Sequence, residues 1–199
     1  MTPGSVIKLV VGVIEVVNLA VDVADKFVDV LKKAGVIKNT QNSDELGAKV
    51  LHGQEINITP DALSTKQDYE DYARKIDTLQ LPSGQDYSPE EKRNAVNKFI
   101  TDAMNVRYGN QNGVNDFLQE VNDHKEYYSP QRIEAYMDKA NQNDLNMSKI
   151  GDYLGNNLDS MQDIRKTETV LIDAEKSLGF DDEVAKEKFD SERDKRSNL

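Results

Sequence analysis

Ser88-Pro89-Glu90-Glu91-Lys92-Arg93-Asn94-Ala95-Val96-Asn97-Lys98-Phe99-Ile100-Thr101-Asp102-Ala103 opens as a helix and continues as one. Ser88 is an N-cap, Pro89 stands at the first helical position where its missing N–H costs nothing, and an acid stands at the third. Val96, Phe99, Ile100 and Ala103 then recur at the spacing of one buried helical face.

The same grammar runs outward in both directions. Asn42 followed by Glu45 reads as a capping box before Leu46, Val50 and Leu51, and Ser64 followed by Gln67 reads as another before Tyr69, Tyr72, Ala73, Ile76 and Leu79. Leu81-Pro82-Ser83-Gly84 is a break. Gly109 to Gly113 turns the chain into a helix carrying Val114, Phe117, Leu118 and Val121, and Ser129-Pro130 starts another with Ile133, Tyr136, Met137 and Ala140. Ile150, Tyr153, Leu154, Leu158, Met161, Ile164, Leu171, Ala174 and Leu178 continue at helical spacing to Gly179, a C-terminal cap. The one strand-like alternation, Ile56 to Thr59, is too short and runs into Pro60. The expected fold is all-α: one compact bundle of about six to eight helices.

The N-terminal stretch differs in kind. Ser5 to Ala24 is apolar almost all the way round a helix, with charged groups only at Lys8, Glu15 and Asp22, and Asp25, Asp29, Lys32 and Lys33 continue the same stripe. A wide apolar face needs a partner, so the segment is expected as a Val-rich helix buried in the core, in an oligomer or on a membrane surface, in that order. Val10, Val13, Val17 and Val21 are its candidate interface residues. A single membrane span is disfavoured, because three ionisable groups in twenty residues would each cost about 2.5 to 3.5 kcal/mol at the bilayer centre. A secretory leader would not tolerate the same interruptions.

The expected segmentation is residues 1–40 as this helix, 41–179 as an acidic multi-helix domain, and 180–199 as a charged helix or tail. In the last, only Val184, Ala185 and Phe189 draw a thin apolar line. Tyr87-Ser88-Pro89 and Tyr128-Ser129-Pro130 echo each other, but the residues after them do not align, which argues against a repeat array.

The 199 residues include no cysteine and no tryptophan, eight tyrosines and five phenylalanines, and carry a net charge of −11. Thiolate chemistry and sulfur metal sites are thereby excluded, and the compartment is expected to be the cytoplasm, or the outside by a route without a recognisable leader. Residues 1–40 hold five bases and four acids, net +1, so the remainder carries −12. With no basic stripe for phosphates, a nucleic-acid partner is not expected, and a basic protein is the better electrostatic match.

Catalytic motifs are scarce. There is no glycine-rich phosphate loop, serine elbow or zinc-binding histidine pair. His52 and Glu55 lie one turn apart, but the order is reversed and single compared with carboxylate-bridged metal bundles. His124 follows Glu120 by four residues, the spacing of a helix-surface pair. Asp144, Asn146, Ser148 and Asp152 alternate like calcium ligands, but Lys149 and Gly155 stand where a glycine and a bidentate acid are required, and capping by Ser148 accounts for them. Tyr69, Tyr72, Tyr136 and Tyr153 lie on apolar faces, whereas Tyr87, Tyr127 and Tyr128 sit at helix boundaries as candidate partner contacts.

Glu45-Leu46-Gly47-Ala48-Lys49, the Ile58-Thr59-Pro60 turn before Tyr69-Glu70-Asp71-Tyr72, and Tyr87-Ser88-Pro89-Glu90-Glu91-Lys92 before Arg107-Tyr108-Gly109 resemble a group of helical proteins of unknown function from low-GC Gram-positive bacteria. The resemblance spans about residues 40 to 178 and implies a helical fold. Its motifs are caps and turns, so it implies no catalytic, cofactor or metal residue. The expected function is a non-enzymatic interaction module for a basic partner, such as an immunity or adaptor protein of a bacterial secretion or competition system. The alternatives are assembly or membrane-surface association through residues 5–37, and an enzyme using carboxylate or histidine chemistry.

Overall fold

The computed structural model describes residues 15–60, 65–109 and 112–197. Among these there are nine helices and no strand: α1 Val21–Lys33, α2 Ser43–Glu55, α3 Lys66–Thr78, α4 Pro89–Tyr108, α5 Val114–Asp123, α6 Pro130–Gln142, α7 Ser148–Leu154, α8 Met161–Ser177 and α9 Asp182–Ser197. The all-helical expectation holds with slightly more helices than foreseen. The chain forms two compact units, Met1–Arg107 and Tyr108–Leu199.

In the first unit α1 buries Val23, Ala24, Phe27, Val28, Val30 and Leu31, while Asp22, Asp29 and Lys33 of the polar stripe stay exposed. Gly35 ends α1 in the left-handed region (φ +72°), and the Val36 amide returns 3.0 Å to the Leu31 carbonyl, closing a Schellman turn. The helix begins only at Val21. Residues 15–20, expected as its continuation, are irregular: Ala20 offers no side-chain cap, and the Val17 amide donates to Thr101 Oγ1 at 3.3 Å. β-branched valines gain little from a helix, so a side-chain acceptor on α4 outbids the intrahelical bond there. Residues 1–14 of the expected helix, with Val10 and Val13, lie outside the described residues.

Asn42 caps α2 by accepting from the Glu45 amide at 2.9 Å. The α3 cap is Thr65 with Asp68 in a full capping box, one residue after the expected Ser64–Gln67 pair. Ser88 and Glu91 form a reciprocal box at α4, and Val96, Phe99, Ile100 and Ala103 are buried. Tyr69, Tyr72 and Phe99 pack edge to face or tilted within 6 Å, and the Tyr69 hydroxyl donates to the Phe99 carbonyl at 2.9 Å.

In the second unit Val114, Phe117, Leu118 and Val121 of α5, Ile133, Tyr136, Met137 and Ala140 of α6, and Val170, Leu171 and Ala174 of α8 form the core. Residues 155–160 carry no helix, which separates α7 from α8 where the sequence spacing ran on; Asn156 takes a positive φ of 57° there. Gly179 closes α8 as expected, with the Phe180 amide 3.1 Å from the Glu175 carbonyl. In the last segment α9 buries Ala185, Phe189 and Glu192.

Candidate functional site

Polar side chains are drawn inward where α5, α6, α7, α8 and α9 meet. Glu175 of α8 is fully buried and is the first anchor. Its Oε1 accepts from Arg132 Nε at 2.7 Å and from the Tyr136 hydroxyl at 2.8 Å, and its Oε2 lies 3.4 Å from Lys188 Nζ on α9. Arg132 also donates from Nη1 to the Tyr127 carbonyl at 2.5 Å and stacks over the Tyr127 ring. The Tyr127 and Tyr136 hydroxyls are 2.9 Å apart; since Tyr136 donates to Glu175, Tyr127 donates to Tyr136.

Glu120 of α5 is the second anchor. Its Oε1 accepts from the Tyr128 hydroxyl and from Arg196 Nη2, each at 2.8 Å, while Arg196 Nε reaches Glu192 Oε1 at 3.1 Å. Gly151 of α7 makes the space: a Cβ there would stand 2.8 Å from Glu120 Oε2. Between the anchors, Phe189 meets the Tyr153 ring edge to face at 6.0 Å, and Arg193 lies over that ring while donating to the Tyr153 carbonyl at 3.1 Å.

Burial pulls the Arg132 guanidinium down, but its bond to Glu175 together with the electrostatic effect of Tyr136, Tyr127 and Glu175 outweighs this and holds it above its ordinary value; Arg196 is raised against burial in the same way by Glu120, Tyr128 and Glu192 together. Burial pushes the Tyr127 hydroxyl up to about 12, and Tyr128 and Tyr136 well above the usual tyrosine value, with the Glu120 and Glu175 charges adding to the effect. These hydroxyls are therefore protonated donors at neutral pH. The arrangement holds carboxylates as receptors for cations.

The sequence reading placed partner contacts at Tyr87, Tyr127 and Tyr128. Tyr128 is only 1% exposed, its ring packed on Phe117 and its hydroxyl on Glu120, so it is an internal contact of this unit. A boundary position left it looking accessible, whereas the turn after α5 folds it inward. Tyr127 is half-buried beside Arg132; Tyr87 is half-buried in the first unit, where its hydroxyl accepts from Gln85 at 2.6 Å. Val17 is half-buried and Val21 is 58% exposed.

His52 Nδ1 lies 3.5 Å from Glu55 Oε2 at the end of α2, and His124 Nε2, at the C-cap of α5, lies 3.9 Å from Glu120 Oε2, both as neighbours one turn apart in sequence. The alternating oxygens near residue 146 serve the backbone: Asn146 Oδ1, not Ser148, caps the turn by accepting from the Ser148 amide at 3.0 Å, and the Asp144 carbonyl takes Lys166 Nζ at 2.9 Å. Among the described residues no group of three histidines or carboxylates is placed to share a metal, and no helix is long and apolar enough to cross a membrane. A dimple in the first unit between Val36, Tyr69 and Ala103 has room for about one water.

Sequence reasoning missed Glu175, Arg132 and Arg196. The available signal was the continuation of the Ala185–Phe189 line at heptad spacing through Glu192 and Arg196, where the apolar code ends and a charged one begins. No family profile, curated protein or solved structure matches the chain.

Proposed function

We propose that this chain is a non-enzymatic interaction module whose second unit docks a basic protein, as an immunity or adaptor protein of a bacterial secretion or competition system would. One observation carries the reading. On α9 the exposed Glu183, Glu187, Asp190 and Asp194 form one stripe opposite the buried line of Ala185, Phe189 and Glu192, flanked by the exposed Lys186 and Lys195, while Lys188, Arg193 and Arg196 are turned toward the unit. The centre of the outward face of the helix is thus acidic.

The background supports it: residues 108–199 hold twenty acids against twelve bases, net −8. Such a field steers a basic partner and rejects acidic ones, and blocking a basic toxin requires charge and shape but no reaction. In the alternative segment, Val23, Ala24, Phe27, Val28, Val30 and Leu31 lie in the core of the first unit, so the acidic face is preferred over assembly through residues 5–37.

The test compares the full chain with a Glu183→Lys/Glu187→Lys variant as baits for source lysate at low and high salt. Retention of a basic protein by the unaltered chain alone, lost at high salt, is expected. Equal retention by both baits, or retention indifferent to salt, overturns the reading.

A further inference from the structure

We infer that the groove beneath α9, with Glu175 at one end, Tyr153 in the middle and Glu120 at the other, is a receptor for a basic amphipathic helix, which α9 occupies as an internal stand-in. The inference rests on the reading above that the partner is basic, and it names the element that would be recognised.

Residues outside α9 orient both carboxylates of the receptor. Glu175 is oriented by Arg132 and Tyr136, and Glu120 by Tyr128, with Gly151 leaving room for its carboxylate. What α9 contributes is a pattern: a cation at Lys188, an apolar residue at Phe189, and cations at Arg193 and Arg196. Each finds its own counterpart, Lys188 on Glu175, Phe189 and Arg193 on Tyr153, and Arg196 on Glu120.

The grip is of a kind that can be exchanged. The buried apolar side chains of α9 are Ala185 and Phe189 alone, so much of the attachment is ionic. Ion pairs withdrawn from water roughly break even against hydration, so a helix held this way leaves more easily than one held by a broad aliphatic face. A second basic helix restores the same pairs. The lead into α9 passes through Gly179, left-handed at φ +94°, with nothing within 4 Å of where a Cβ would be. Once displaced, α9 would carry its acidic stripe with it.

The probe is a fluorescein-labelled peptide with the sequence of residues 181–197 in which Glu183, Glu187, Asp190 and Asp194 are replaced by glutamine. It is titrated into the full chain, into Arg196→Gln, where the grip of α9 is weakened, and into Glu120→Gln/Arg196→Gln, where the receptor charge is also gone. Binding at least tenfold tighter to Arg196→Gln than to the unaltered chain, falling back in the double variant, is expected. Because variants can lose structure for other reasons, hydrogen exchange of the α9 amides is followed in the unaltered chain, and saturating peptide should accelerate it. Equal affinity for the first two proteins, no acceleration, or affinity that survives Glu120→Gln overturns the inference. If reversal of the outer stripe abolishes partner binding while the peptide leaves α9 protected, the proposed function stands and this inference falls; the converse pair of results does the opposite.

Discussion

Asp77 and Thr40, on α3 and in the loop before α2, are joined twice: one Asp77 oxygen accepts the Thr40 amide at 2.9 Å and the Thr40 hydroxyl at 2.8 Å. The other takes the Lys38 amide at 2.7 Å and the Asn39 amide at 3.0 Å, and Lys49 Nζ closes the knot on the Asp77 carbonyl at 2.9 Å. A single carboxylate therefore satisfies a whole turn of orphan backbone donors leading from α1 into α2. Asp77→Ala leaves the Thr40 donors unmet in a buried site and those of Lys38 and Asn39 in a part-buried one, and is expected to cost about 3 kcal/mol, hydrogen bonds to a charged group being worth roughly 1.5 to 3. Chemical denaturation measures it, and a loss under about 1 kcal/mol would mean that water replaces the carboxylate freely.

The same knot sets a pH dependence. Burial pushes the Asp77 carboxyl up, but the Lys38, Asn39 and Thr40 amides and the Thr40 hydroxyl outweigh burial and hold it below the usual carboxylate value. A folded value below the unfolded one means that the unfolded chain binds the proton first, so the stabilisation is complete above about pH 4 to 5 and fades as pH falls through the folded value. The difference in urea midpoint between the unaltered chain and Asp77→Asn should be constant from pH 7 to about 5 and shrink below that. A difference that grows on acidification would reverse the sign and contradict the assignment.

Gly47 carries a different constraint. A Cβ on this residue of α2 would collide with the backbone carbonyl of Lys92 on α4, so the two helices cross in backbone contact there. Alanine at an exposed helical glycine gains about 1 kcal/mol. At Gly47 the collision is with backbone, which cannot rotate away, and overpacking of this kind costs roughly 1 to 3 kcal/mol or more. Gly47→Ala is accordingly expected to lower the melting temperature, and a rise would show that the helices separate without penalty.

What was legible in the sequence was whatever a local rule encodes. The caps at Asn42, Ser88 and Ser129, the stop at Gly179 and the faces of α4, α5 and α6 could be read because amide satisfaction and apolar spacing are properties of a few neighbouring residues. The misreadings at Val17, Arg196 and Glu175 share one cause, tertiary partners distant in sequence. Val17 leaves the helical pattern for Thr101, 84 residues away. Arg196 looked like solvated charge because Glu120, its partner, is 76 residues earlier. Glu175 drew no notice on α8 because nothing nearby in sequence marks Arg132 and Tyr136 as its company. The candidate site is composed of such pairs, so spacing alone left it invisible.

Glu175 and Lys188 allow that distinction between buried and surface charge to be measured. Glu175 is fully buried with Arg132 alongside, whereas the Lys188 side chain is 28% exposed. Removing the acid strands the Arg132 guanidinium in a low-dielectric site, and breaking one side of a buried pair costs about 3 to 5 kcal/mol. Removing the lysine leaves Glu175 still paired and gives up only a partly solvated contact, worth about 1 kcal/mol or less. Glu175→Gln should therefore destabilise the chain several times more than Lys188→Gln in thermal or urea denaturation. Added salt should erase the smaller effect and leave the larger one nearly unchanged, because screening acts on exposed charge and hardly reaches the buried pair. Equal effects, or equal salt sensitivity, would mean that water enters the Glu175 site and that Arg132 is not held by a desolvated charge.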